Sequence, residues 1–324
     1  IQPFEDVYPE MAKAMGIDPA SKKYVPFDIT DKKFATNYMN LVLHPIEKAG
    51  VDFWWLDWQQ WGSTNIPGVN PTFYLNYVHY SDMERQNKVR PLIFHRWGGL
   101  GNHRYQIGFS GDTHVSWESL NYQPYFTATA ANVGFGYWSH DIGGHQGDAG
   151  SPELYTRWIQ WGVFSPIFRT HATSASHHER RIWAYPLENF LIMRDAYVLR
   201  YSLVPYLYNE ARNTYETGVS TVHPMYYDYP KEENAYGIPN QYMFGRDMIV
   251  HPITKPIDKG NVFLSHETWL PEGKWYECST GSIVKGNKKV TMPFTLGDIP
   301  VFVKEGAIIP MQSKAERTDE KPLN

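Results

Sequence analysis

A single cysteine, Cys278, stands in 324 residues. An internal disulfide is thereby excluded, and so is a metal site built on cysteine thiolates. No run of eighteen apolar residues occurs, so no segment reads as a membrane-spanning helix. Neither acidic nor basic residues dominate, with 34 Asp and Glu against 30 Lys and Arg. A formal net charge of −4 argues against a basic nucleic-acid binder, and 42% hydrophobic residues argue against a disordered chain. There is no Gly-rich dinucleotide fingerprint, no H-E-x-x-H helix motif and no internal repeat. The opening run, IQPFEDVYPEM, carries no targeting pattern and leaves localisation open.

Aromatic surface is what the chain has in excess, with 12 Trp and 23 Tyr. Sugar-binding clefts are built this way because rings stack on the C–H faces of pyranoses, although aromatic-rich packing gives the same count. The run VDFWWLDWQQW, residues 51–61, concentrates the question: four Trp flank the carboxylate of Asp57, two on each side.

Short apolar runs ending in polar residues recur over 51–57, 90–96, 105–112, 133–141 and 165–171. Helical patterns cover 32–50, closed by Gly50, then 70–88, 116–132 and 151–164, and a long one at 187–218 that Pro205 divides or kinks. Strands alternating with helices imply β/α units and a parallel sheet. The expected fold class is α/β: the C-terminal five β/α units (strands 4–8) of a (β/α)8 TIM barrel, over residues 1–220. A doubly wound sheet is the runner-up. Five units cannot close eight strands, so the earlier strands are expected outside this sequence. From 221 to 324 short β-type runs broken by Gly, Pro and Asn imply an appended antiparallel β-sandwich, with a polar tail at the end.

Each of the five apolar runs ends on a candidate: Asp57, Arg96, Asp112, Asp141 and His171. Singly, each has a plain reading. Asp57 suits a structural carboxylate, Arg96 a salt-bridge partner and Asp112 a helix N-cap. Asp141 suits a turn before Gly143 and Gly144, and His171 a satisfied polar residue. Gathered at one barrel mouth, three carboxylates, an Arg and a His are hard to justify as stabilisation, and suit polyol binding with acid/base work. A metal reading of His140, His145, His171, His177 and His178 is disfavoured, because adjacent His177 and His178 do not easily turn both rings onto one ion.

The longest informative stretch, GFGYWSHDIGGHQGDAGSPELYTRWIQWGVFSPIFRTH, resembles the W-S-H-D-I-G-G … R-W-x-Q-x-G-x-x-S-P-x-x-R-x-H block of glycoside hydrolase family 31. That family includes α-glucosidases, α-xylosidases and α-galactosidases. RWGGLGNHRYQIGFSGDTHVSWESL resembles its acid/base block, with Arg96 sixteen positions before Asp112. GVDFWWLDWQQ resembles the nucleophile strand of one bacterial branch, and VFLSHETWLPEGKWYECSTG with PVFVKEGAIIPM its C-terminal β-domain.

The resemblance implies a retaining α-glycoside hydrolase, an α-glucosidase first, with α-galactosidase, α-N-acetylgalactosaminidase or a non-catalytic carbohydrate-binding remnant as alternatives. Asp57 would be the nucleophile and Asp112 the acid/base. Arg96, Asp141 and His171 would bind hydroxyls of the −1 sugar, with Trp55, Trp58, Trp97 and Trp138 as candidate subsite walls. No cofactor and no metal are implied. The partners expected are an oligosaccharide or glycoside and the absent first half of the barrel, with no nucleic acid and no membrane; a homo-oligomer stays open. Two departures from the family stand out. Its N-terminal sandwich, first three strands and a further −1 aspartate are absent, and WLDWQQW replaces the W-x-D-M-N-E form found in many members.

Overall fold

The structure, a computed structural model, describes residues 1–57, 64–86, 88, 90–96, 99–318 and 320. Contacts divide the chain into two compact units, Ile1–Phe109 and Ser110–Asn324.

In the first unit α1 (Tyr8–Met15) is followed by α2 (Lys32–Tyr38), one π turn (Met39–Leu43) and α3 (His44–Lys48). The expected single helix over 32–50 is thus interrupted. Pro45 has no N–H to return to the preceding turn, and the ladder widens just before it. Asp31 caps α2 by accepting from the Lys33 and Phe34 amides, and Gly50, at φ +123°, turns the chain out after α3. Next come β1 (Trp54–Leu56), α4 (Pro71–Gln86), β2 (Ile93–His95) and β3 (Gln106–Phe109). The three strands pair in parallel in that order, with Leu56 opposite His95 and His95 opposite Gly108. Period two sorts their faces. Leu56 and Ile93 join the core with Leu43, Leu75 and Met83, whereas the rings of Trp55, Phe94 and Phe109 pack together on the other side.

The second unit opens with α5 (Trp117–Ala130), β4 (Tyr137–Ser139), α6 (Pro152–Val163), α7 (Leu187–Ser202) and α8 (Val204–Thr217). The helix expected at 187–218 is divided at Leu203, with Pro205 near the start of α8, where a missing N–H costs nothing. The apolar run 165–171 forms one parallel bridge, Ile142 to Thr170, rather than a strand. Pro166, the second residue of the run, cannot donate to a ladder. The bridge still sets Arg169 and His171 beside the chain that follows β4.

The remaining elements are β5 (Val222–Pro224), α9 (Asn234–Gly237), β6 (Tyr242–Phe244), β7 (Met248–Val250), β8 (Phe263–Leu270), β9 (Lys274–Glu277), β10 (Ile283–Lys285), β11 (Lys288–Thr295) and β12 (Val301–Lys304). An antiparallel sheet runs β10-β9-β12-β7-β6-β5, and β8 pairs antiparallel with β11 through eight register positions. β5, β6 and β7 are buried at every position because the sheet is a middle layer, covered on both faces. Tyr242, Phe244, Met248, Val250 and Val301 face the helices with Trp158, Trp161 and Met193. Met243, Ile249 and Phe302 face Leu264, Trp269, Leu270 and Phe294 of the β8–β11 pair.

Two arginines, Arg157 fully and Arg200 partly buried, tie helices α6 and α7 to the segments beside them. Arg157, 1% exposed, donates to the carbonyls of Thr295, Leu296 and Asp298, and Gln160 donates to Leu296 O at 2.7 Å. Arg200 donates to the carbonyls of Val163, Ser165 and Pro166, closing the C-terminus of α6. Burial pulls each guanidinium down to about 10. Both remain charged at neutral pH, and carbonyl oxygens replace the lost water.

Candidate active site

Asp57 is the residue after β1 and Arg96 the residue after β2. With Leu56 opposite His95 in a parallel ladder, these next positions must be neighbours. Arg96 N donates to Leu56 O at 3.0 Å, and Arg96 Nη1 donates to Asp57 Oδ1 at 3.1 Å. The carboxylate side chain keeps 31% exposure and the guanidinium 15%. The result is an ion-paired acid that an incoming molecule can still touch. Trp55, 41% exposed, stacks on Phe94 at 5.9 Å and meets Phe109 edge-on at 5.8 Å. Its exposed surface lies on the strand that leads into Asp57. Trp58 and Trp97 lie outside the described residues.

In the second unit a chain of charged and imidazole groups begins at Asp112. Its Oδ1 is 3.6 Å from His145 Nε2, His145 Nδ1 is 3.4 Å from Asp141 Oδ2, and Arg169 Nη2 forms an ion pair with Asp141 Oδ1. The rings of His145 and His171 lie 5.0 Å apart. Asp141 is 1% exposed, so Arg169 supplies the compensation that a buried carboxylate needs. Three of the sequence candidates, Asp112, Asp141 and His171, are therefore brought together in this unit.

Backbone contacts fix the arrangement. His145 N and Gln146 N both donate to Thr113 O, Ile142 N donates to Arg169 O, and Thr173 N donates to His145 O. Gly144 sits at φ +80°, and a Cβ there would stand 2.8 Å from Val115 Cα, so only glycine lets the 141–147 loop lie against 113–115.

Asp112 is not the N-cap of α5. Ser116 caps it, accepting from Ser119 N at 3.1 Å. Trp138, 9% exposed, packs with Phe126 and Phe135 in a small apolar cluster rather than standing free. Arg169 and His145 complete the cluster although neither was assigned a sugar-binding role from sequence. The available signal was Arg169 two residues before His171, and His145 four after Asp141.

Ligating atoms of Asp141, His145 and His171 lie within 4.8 Å of one another, which is the spacing a cation would need. Arg169 already holds an Asp141 oxygen, and its positive charge opposes a cation there. His177 and His178 both turn a ring nitrogen to Gly147 O, at 3.1 and 2.8 Å, so they hold a loop. A second group of possible ligands, His44, Glu47 and Asp82, is already engaged: His44 Nε2 contacts Asp82 at 2.8 Å, and Trp54 Nε1 donates to Glu47 at 2.7 Å. Burial, with the Arg169 charge, pushes His140 well below its ordinary range. It is a neutral ring lying against Trp161 at 3.8 Å.

Similarity to known proteins divides the chain at a different place from the two compact units. A family model for the TIM-barrel domain of glycosyl hydrolases family 31 matches residues 7–210, and the model for that family's C-terminal domain matches 218–309. Neutral α-glucosidase C of Mus musculus is 28% identical over 315 residues, covering 88% of this chain and 34% of the relative. An α-xylosidase of Saccharolobus solfataricus is 32% identical over 243 residues, covering 72% of this chain and 32% of that protein. The structure of a family 31 dextranase of Flavobacterium johnsoniae, complexed with glucose, superposes with a TM-score of 0.80 at 27% identity. It covers 91% of this chain and 39% of that one. The chain spans about a third of the length of these curated relatives.

Proposed function

The chain belongs to glycoside hydrolase family 31, and on that premise we propose that it carries the catalytic residues of a retaining α-glycoside hydrolase, in the first place an α-glucosidase. Residues 1–220 are its barrel part and 221–324 its C-terminal β-domain. The observation that carries the reading is the ion pair of Asp57 with Arg96 at the ends of neighbouring parallel strands. It leaves a partly exposed carboxylate where barrel enzymes hold their reactive groups.

Two displacements follow. Asp57 attacks the anomeric carbon as the glycosidic C–O bond breaks, and Asp112 gives its proton to the departing oxygen. Asp112, now a carboxylate, then takes a proton from water. That water attacks the same carbon and releases Asp57, so the configuration is retained. His145, between Asp112 and Asp141, keeps hydrogen-bonding capacity beside the acid/base in both of its states. Asp141 and His171 take sugar hydroxyls, Arg96 both steadies Asp57 and reaches the sugar, and Trp55 is a wall.

Turnover of p-nitrophenyl α-glycosides by the full-length protein and its Asp57→Asn variant tests the reading. The panel takes gluco, xylo, galacto and N-acetylgalactosamino substrates. One substrate should be cleaved, with a loss in the variant on the order of 10³-fold or more. Equal turnover in the variant would remove Asp57 from its role. No turnover of any substrate would favour a carbohydrate-binding remnant.

A further inference from the structure

A cavity of about 710 Å³ opens in the second unit beside the turn that carries Asp112. It is lined by Thr113 and Ser116 from that turn, by Tyr122, Gln123 and Phe126 from α5, and by Asp148 from the loop after β4. None of Asp112, Asp141, His145, His171 and Arg169 is among its described lining residues. Its volume is that of a small-molecule site.

Local structure explains the lining. Ser119, Tyr122, Gln123 and Phe126 are spaced i, i+3, i+4, i+7 and share one face of α5. Tyr122 and Phe126 stack at 5.4 Å with their planes 23° apart, and Phe126 is held edge-on by Trp138 at 5.1 Å. Tyr122 keeps 52% of its surface exposed, so a fixed ring presents its face. Two polar atoms in the lining lack a protein partner: Oε1 of Gln123, a residue 3% exposed, and the Thr113 hydroxyl. Both atoms are covered as the side chains stand, and a turn of each about its own bonds would satisfy it on a ligand that supplies hydroxyls.

The charged lining groups narrow the class. Glu118 and Asp148 are acceptors, and among the described lining residues there is no Lys or Arg. A phosphorylated or carboxylated ligand would meet repulsion, whereas a neutral polyol would find acceptors, hydroxyls and an aromatic face together. We propose that this cavity is a second saccharide site, which takes a neutral pyranose on the face of Tyr122 with its hydroxyls on Gln123 and Thr113. The glycosidase reading enters only in the choice of probe.

The test is calorimetric titration of a malto- or isomalto-tetrasaccharide into the full-length protein carrying Asp57→Asn, which suppresses turnover. Adding Tyr122→Ala should weaken binding about tenfold, equivalent to ~1.4 kcal/mol. Gln123→Leu should weaken it severalfold by the same reasoning, while Tyr122→Phe, which keeps the ring, should retain most of the affinity. Tyr215→Ala, on exposed surface of α8, controls for nonspecific loss and should leave the affinity unchanged. Unaltered affinity in both Tyr122→Ala and Gln123→Leu would overturn the proposal, as would absence of tetrasaccharide binding. If no glycoside is hydrolysed yet Tyr122→Ala still weakens binding, the catalytic reading fails and the cavity assignment stands.

Discussion

Asp57 and Asp112 are the same side chain in two electrostatic settings. The first pairs with a guanidinium at 3.1 Å, which holds its carboxylate in place for attack. The second has an imidazole at 3.6 Å, which can donate to it or accept from it as its proton comes and goes. This difference gives a separable prediction for Asp112. In Asp112→Ala, p-nitrophenolate leaves without a proton, so the first displacement survives better than the second, which needs a base. Added azide needs no base and should restore turnover, releasing the α-glycosyl azide, with the product configuration read by NMR. An unaccelerated variant would remove Asp112 as the base. Arg96→Met, which keeps length but not charge, should lower kcat/KM on the order of a hundredfold, the scale of losing one preorganised charged donor.

At the scale of elements, the 141–147 loop depends on Gly144. Gly144→Ala adds a Cβ 2.8 Å from Val115 Cα at φ +80°, and should destabilise the fold by about 1–3 kcal/mol, measured by denaturant unfolding. Activity should fall with it, since the same loop sets His145 beside Asp112. Arg200→Met should cost on the order of 3 kcal/mol, because the carbonyls of Val163, Ser165 and Pro166 lose their donor together. A loss under ~1 kcal/mol in either variant would contradict these assignments. Elements are also where the sequence was most legible. Gly50 and Pro205 marked helix boundaries that the structure places within about two residues, the usual ambiguity of helix ends. Pro166 is equally visible in the sequence, yet an apolar run reads as a strand whether or not its ladder can form, and here it closes only a bridge. Asp112 looked like a cap because a favoured cap residue precedes a helical run. The loop carrying His145 and Gln146 hydrogen-bonds Thr113 and Val115 outside the helix, and that shifts the cap to Ser116.

Across the whole molecule, what sequence could not supply were pairings set by tertiary distance. Arg169 meets Asp141 across 28 positions and Arg157 meets Asp298 O across 141, and no local pattern encodes either. Both arginines stood in the block that carried the family resemblance, so their presence was legible and their partners were not. Burial also sets the acid limit of the fold. His79 and His266 are both depressed to about 4, by burial first, with Asp82 opposing it at His79. The unfolded chain takes up these protons near 6.5 and the folded chain only near 4. Stability is therefore complete above pH ~6.5 and falls as pH drops toward ~4. Each histidine that is charged in the unfolded chain but neutral in the fold removes about 1.4 kcal/mol per pH unit in that window. Denaturant midpoints between pH 7 and 4 should show this slope, and His266→Phe should reduce it. A midpoint flat over that range would contradict the assignment of neutral buried imidazoles.

The most direct test of the central claim is to trap the glycosyl-enzyme. The full-length protein is incubated with 5-fluoro-α-D-glucosyl fluoride, digested and read by tandem mass spectrometry. A single hexose-sized adduct on the peptide containing Asp57, absent after Asp57→Asn, is the result the account predicts. An adduct on another carboxylate, or turnover of the α-glucoside without any adduct, would contradict it.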